Sequence, residues 1–237
     1  MKIRTLIFTC LLAVATASVA VDASALKPPA GAKVAIVMFE DLQCPECAHA
    51  YPLVWDAANA HKIPVLLRDF PLPRHNWAFD AAVWARYFDQ TSLNLGNEFR
   101  KFIYANQTQI TRENLQQWVQ KFGDDHKASV TLPKDPGDKL AEKVKADFAL
   151  GQRIGVEHSL TLWVVSNNGV SQPLVDEVKD SEQLNQLIDE VFKKETLKKA
   201  QPSPAKNLPQ KGSAPQKSAV PKNVAPTNIS KDTKKAG

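Results

Sequence analysis

Cysteine is scarce in this chain, with three in 237 residues. One of them, Cys10, sits in a leader-like N-terminus, so the rest of the chain holds only Cys44 and Cys47. That excludes a framework of several disulfides. Long apolar runs are also missing. The stretch from Leu6 to Ala15 is too short to span a bilayer, and no later segment is apolar enough to do so. Acidic and aromatic residues nearly vanish from the end of the chain. Gln201 to Gly237 carries seven lysines, one aspartate and no aromatic ring.

These scarcities divide the chain into three parts. Lys2 and Arg4, the short apolar core and Ala23-Ser24-Ala25 form the pattern of a secretory signal, residues 1–25. The rest is then expected to be periplasmic or secreted, in a compartment where disulfides persist. Residues 201–237, rich in Pro, Lys and Ala, cannot bury enough apolar surface to offset their ordering entropy, which predicts a disordered basic tail. Its net charge is +6 and that of residues 1–25 is +1, so the total of +5 leaves residues 26–200 at −2. Basicity therefore belongs to the tail. A nucleic-acid enzyme would carry a basic face within its domain, so no nucleic-acid partner is expected. The tail lysines suit weak contact with anionic surfaces such as lipid headgroups or cell-wall polymers.

Residues 26–200 suit one domain with a full core. Lys33 to Phe39 is a β-branched and apolar run of the kind found in a buried strand. A helix is expected from the cysteine pair onward, with Pro45 at its first position, Cys44 at the cap, and an apolar stripe of Ala48, Tyr51, Val54, Trp55 and Ala58. Ile63 to Phe70 predicts a second strand. Helical patterns follow at 77–88, 97–105, 112–122 (with Thr111 as N-cap) and from Asp138 to about Arg153. Leu160 to Val165 and Val170 to Val175 predict a hairpin turning at Asn167-Asn168-Gly169, and a last helix spans Asp180 to about Lys199. His75 and His126 fall in predicted loops.

Cys44-Pro45-Glu46-Cys47 is the chemically informative stretch. Two thiols two residues apart, after a strand and at the start of a helix, point to a redox pair. The alternative is a structural bridge, but a disulfide closing so short a loop restrains the unfolded chain little. At the cap, Cys44 receives the unpaired N–H groups of the helix and is expected to be the exposed, attacking thiol. Cys47, one turn in, would be the buried resolving thiol. Glu46 opposes thiolate formation at its neighbour.

The run Phe39-Glu40-Asp41-Leu42-Gln43-Cys44-Pro45-Glu46-Cys47 resembles the F-x-D-x-x-C-P-x-C signature of the DsbA-like branch of the thioredoxin superfamily. Arg68-Asp69-Phe70-Pro71-Leu72 with Ala81-Ala82, Pro52 inside the first helix, and Gly151-Gln152-Arg153-Ile154-Gly155-Val156 are similar to further passages of that group. The resemblance covers about residues 33–195. It implies an α/β, thioredoxin-like fold with a helical insertion at about 74–155, and the activity of a thiol-disulfide oxidoreductase without cofactor or resident metal. Cys44 and Cys47 would be catalytic, and Asp41, Pro45, Glu46, Ser159, Leu160 and Thr161 supporting. Asp41 matches the family's acidic residue near the buried cysteine, as a proton relay or as a turn aspartate. Partners would be exported protein thiols or disulfides, and a membrane or soluble redox partner for recycling. With Glu46 where relatives carry histidine, a weaker oxidant is expected.

The sequence departs from the family at one place. The loop facing the cysteines, Gly155-Val156-Glu157-His158-Ser159-Leu160-Thr161, has Leu160 where the family has a cis proline. A cis bond before a non-proline residue is rare, which predicts a trans Ser159–Leu160 peptide, a displaced loop, and Leu160 over the sulfurs. Two alternatives follow from it. One is a thioredoxin-fold binding protein without turnover, and the other is a thiol-dependent metal carrier using Cys44, Cys47 and either His49 or His158.

Overall fold

A computed structural model describes residues 25–200 except 133 and 172, with side chains as far as residue 197. The expected leader and tail lie outside the described residues. The first strand, β1 (Val34–Glu40), is buried along its whole length. Its apolar residues alternate between two cores. Val34, Ile36 and Met38 join the larger cluster on one face, while Ala35, Val37 and Phe39 join Phe70, Trp163 and Val165 on the other. A central strand covered on both faces needs an unbroken apolar run, and this one has it.

β1 is followed by α1 (Pro45–His61), then β2 (Val65–Asp69), which pairs parallel to β1 with Ile36 opposite Val65. Four helices come next: α2 (Ala78–Asp89), α3 (Leu93–Asn106), α4 (Leu115–His126) and α5 (Lys139–Arg153). β3 (Thr161–Ser166) returns antiparallel on the other side of β1, with Phe39 opposite Thr161. Two short strands, β4 (Gly169–Val170) and β5 (Leu174–Val175), pair with β3, and α6 (Ser181–Ala200) closes the unit. The sheet order is β2-β1-β3-β4. Among the described residues, no helix is long and apolar enough to cross a membrane.

The insertion between β2 and β3 has an aromatic centre, with Phe88, Phe99 and Phe122 at 4.8–5.1 Å between ring centres. Two of its helices start differently from the sequence expectation. Thr111 does not cap α4. Its hydroxyl accepts from the Asn114 N–H at 3.3 Å, and Asn114 Oδ1 accepts from the Thr111 N–H at 2.7 Å, so this reciprocal turn delays the helix to Leu115. At α5, Asp138 makes no side-chain cap, and Asp135 accepts instead from the N–H groups of Leu140 and Ala141. The expected strand at 170–175 is interrupted. Pro173 has no N–H to give to a ladder, and pairing survives only on either side as β4 and β5.

Gly151 explains how closely α5 lies on the sheet. A Cβ there would meet the Phe70 ring at 2.7 Å and the Phe39 ring at 3.1 Å. Both phenylalanines are fully enclosed, Phe70 stacking on Phe148 at 4.5 Å, so neither ring can yield freely. Gly151→Ala should therefore destabilise the domain by about 1–3 kcal/mol, the usual cost of overpacking, although alanine favours a helix more than glycine. Urea denaturation of the purified variant checks this.

Candidate active site

α1 begins at the exit of β1, and its N-cap residue is Cys44, with Pro45 at the first helical position. Pro45 is exposed there, where its missing N–H leaves no carbonyl unsatisfied. The turn that delivers the cysteines is built by Asp41, whose side chain is fully enclosed. Its carboxylate accepts from the N–H of Gln43 at 2.7 Å and of Leu72 at 2.7 Å, and it pairs with His75 Nδ1 at 2.7 Å. Burial nevertheless pushes its pKa up, against those three contacts. The Asp41 backbone N–H, rather than its carboxylate, meets Cys47 Sγ at 3.4 Å.

The two cysteines are free thiols in unlike surroundings. Cys47 has no exposed surface, and burial drives its pKa well above the ordinary value, with the neighbouring Cys44 sulfur adding to the rise. Cys44 is lowered. The Cys47 thiol hydrogen bonding to its sulfur is the largest cause, and burial and Glu46 oppose it. The two thiols are thus shifted in opposite directions, but the expected exposure of Cys44 is not found, because only 1% of it is accessible. Its sulfur lies 3.0 Å from Glu46 Oε2 and 3.1 Å from the Ser159 carbonyl oxygen, two acceptors that share its one thiol proton, and these neighbours close over it. Glu46 is held ionised chiefly by that thiol hydrogen bond.

The facing loop overturns a second expectation. The Ser159–Leu160 peptide is cis, not trans. Leu160 does not lie over the sulfurs either. It has no exposed surface and packs in the larger core with Met38 and Leu162. Burial of that side chain, with the Leu160 carbonyl accepting from the Asp176 N–H at 2.9 Å, directs the Ser159 carbonyl toward Cys44. Thr161, also buried, donates its hydroxyl to the His158 carbonyl at 2.7 Å and fixes the loop from the other side. Ser159 Oγ is enclosed, and its hydroxyl favours the Cys44 thiolate.

Several contributors were not recognised from sequence. His75 sits in a loop as expected, but it is bonded to Asp41. Gln107, from the short turn of helix after α3, donates to the carbonyls of Leu42 at 2.9 Å and Cys44 at 3.1 Å, tying the insertion to the active-site turn. The third is Glu40, the last residue of β1. It is 1% exposed, accepts from Arg100 Nε at 3.0 Å and Tyr104 Oη at 2.8 Å, and burial raises its pKa to about 7 despite the arginine. An acid ending a fully buried strand was the only local signal. His126 ends α4 and stacks on Phe122.

Glu40 gives a pH prediction. Its folded-state pKa lies above its ordinary 4.5, so the native state holds this proton more tightly than the unfolded chain. The stabilisation is full below about pH 4.5 and is lost as the pH rises through 7, up to about 3 kcal/mol at 1.36 kcal/mol per unit. Glu40→Gln cannot lose a proton. Its stability, followed by chemical denaturation from pH 5 to 8, should fall less with rising pH than that of the parent protein.

The sheet order, the helical insertion and the position of the cysteine pair together decide the family. The thioredoxin family model matches residues 29–190. The chain belongs to the thioredoxin family. No curated protein matches it. Among solved structures, this thioredoxin-family chain is similar to the thiol-disulfide exchange protein α-DsbA2 of Wolbachia pipientis, with a TM-score of 0.55 and 18% identity over 70% of this chain and 85% of that one. It is similar to Pseudomonas aeruginosa DsbA2, with a TM-score of 0.51 and 18% identity over 70% and 93%. The catalytic domain of Proteus mirabilis ScsC gives a TM-score of 0.56 and 14% identity over 70% and 88%. The fold is thus thioredoxin-like with a helical insertion, of the DsbA-like kind.

Proposed function

We propose that the protein is an exported thiol-disulfide oxidoreductase that exchanges disulfides with other exported proteins through Cys44 and Cys47. The unequal thiols carry this reading: Cys44 is lowered at a helix N-cap and Cys47 is raised and sealed beneath it. In the reducing direction the Cys44 thiolate attacks a substrate disulfide, forming a mixed disulfide and releasing one substrate thiolate. Cys47 gives up its proton and attacks the Cys44 sulfur. The protein disulfide forms, the second substrate thiolate leaves, and the two cysteine protons end on the two substrate thiols. The oxidising direction is the reverse.

Asp41 positions the turn, Pro45 starts the helix, and Ser159, Leu160 and Thr161 hold the facing carbonyl against Cys44. The reading as a binding protein without turnover rests on Leu160 in place of the family's proline. The Ser159 carbonyl, 3.1 Å from the sulfur, supports the oxidoreductase reading beside it. A metal carrier lacks support, because among the described residues no group of three or more His, Cys, Asp or Glu side chains is placed to hold an ion, and His158 pairs with Asp176 at 3.2 Å. Redox titration of the couple against glutathione tests the proposal. A poise among exported oxidants, with turnover on a reduced unfolded protein, is the expected result. A pair that neither forms nor exchanges a disulfide in the titration range would overturn it.

A further inference from the structure

The surface beside Cys44 is charged. A cavity of about 340 Å³ is lined by Glu46, His49, Asp176, Glu177, Val178 and Lys179. Its wall brings three carboxylates against one ammonium group. Glu46 is exposed toward solvent yet accepts the Cys44 thiol at 3.0 Å, so one wall of the cavity is also a contact of the reacting sulfur. Asp176, about half exposed, pairs with His158 and is tied by its backbone to the loop facing Cys44. On its other side Glu46 feels the charges of Arg74 and His75. The same sulfur is met by the Ser159 carbonyl at 3.1 Å, and the buried Ser159 hydroxyl favours its ionised form.

Two features of the resting site stand against reaction. Only 1% of Cys44 is accessible, and an ionised carboxylate accepts its proton. Both would be relieved if Glu46 found another partner. We propose that the cavity receives a cationic side chain of the substrate, a lysine or arginine close to the reacting cysteine, and that pairing with it draws the Glu46 carboxylate off the Cys44 thiol. The inference rests on the oxidoreductase reading and names the substrate class of that site. A bound cation both neutralises the charge that opposes the thiolate and uncovers the sulfur, so recognition and activation are one event. The thiolate then attacks the substrate disulfide as described, and the Ser159 hydroxyl is at hand for the sulfur. Anionic disulfides meet Glu46, Asp176 and Glu177 with like charge and should be poor substrates.

The test uses the reduced full-length protein and three small disulfides of similar size near neutral pH and at low salt. These are cystamine (dicationic), bis(2-hydroxyethyl) disulfide (neutral) and 3,3′-dithiodipropionate (dianionic). Each rate is divided by that of free 1-thioglycerol, a neutral thiol, with the same disulfide, which removes intrinsic reactivity. The normalised rates should fall from cystamine to the neutral compound to the dianion, spanning on the order of tenfold, as a few exposed charge pairs give. About 0.5 M salt should compress the span. Glu46→Gln should speed the neutral disulfide and shrink the cationic advantage, and Asp176→Asn with Glu177→Gln should shrink it as well. Equal normalised rates for all three would overturn the cationic preference while leaving the oxidoreductase reading intact. A preference that survives Glu46→Gln unchanged, with no gain on the neutral disulfide, would overturn the role of Glu46. Failure to exchange with any of the three would instead refute the underlying reading.

Discussion

The Cys47→Ser protein is expected to capture substrate and fail to release it. Cys44 keeps its place at the cap of α1 and still forms the mixed disulfide, but no second sulfur lies below to displace the substrate. Turnover on a reduced unfolded protein should drop to background, while with a disulfide-bearing substrate the Cys44 thiolate forms a covalent adduct that accumulates, visible as a higher-mass band without reductant. Cys44→Ser should show neither turnover nor adduct. The opposite pattern, with adducts only when Cys47 is kept, would reverse the assignment. Alkylation of the reduced protein at mildly acidic pH gives a second reading. Label should reach Cys44 first, since its thiol is lowered and Cys47 is raised by full burial. The rate should nonetheless be slow for a lowered thiol, because Glu46 and Ser159 close over the sulfur. Cys47→Ala, which puts no donor in that place, also removes the largest cause lowering Cys44, so its capture should be slower than that of Cys47→Ser.

What could be foreseen from sequence and what could not follow the range of the interactions. The β1 run, the cap at Cys44, Pro45 at the first helical position and the helical stripes are local, and they appear where their patterns put them. Helix ends shifted where short polar side chains competed for the same N–H groups, as Thr111, Asn114 and Asp135 do. Pro173 divided a strand that looked continuous by composition alone. The active-site turn was legible only in part. Asp41 could be placed beside the cysteines, but its partners Leu72 and His75 come from the loop after β2. Gln107 reaches the turn from 63 residues away and carries no local mark. Leu160 misled for a physical reason. A general preference for trans peptides was weighed without knowing that this side chain is enclosed in the core and that its carbonyl is tied to Asp176.

Long-range pairing also leads to the largest expected loss of stability. Arg100, on α3, is 1% exposed and is shared between two carboxylates: Nε meets Glu40 of β1 at 3.0 Å, and the two terminal nitrogens meet Asp89 of α2 at 2.8 Å and 3.0 Å. Those carboxylates keep the guanidinium charged against the burial that opposes it. Gly96 makes room for the arrangement, since a Cβ there would occupy the place of the Asp89 carboxylate. Arg86 bridges Asp69 and Asp147, tying α2 to β2 and α5, and reaches Asp89 at 3.7 Å, so the two sets meet at that carboxylate. Arg100→Met fills similar space but leaves Glu40 enclosed with Tyr104 as its one remaining side-chain hydrogen-bond donor among the described residues, and takes both guanidinium hydrogen bonds from Asp89. Removing one member of a buried ion pair costs about 3–5 kcal/mol, which for a domain of this size is roughly a 10 °C fall in Tm. Protonation of Glu40, already raised to about 7, should soften the loss at lower pH, so the gap between variant and parent should widen from pH 5 to pH 8. In the Arg100→Met, Glu40→Gln double variant the Glu40 carboxylate is no longer stranded, although Asp89 still lacks its guanidinium partner, and part of the stability should return. A double variant as unstable as the sum of the two single ones, measured by calorimetry across that pH range, would show that the arginine acts by packing or through Asp89 rather than through Glu40.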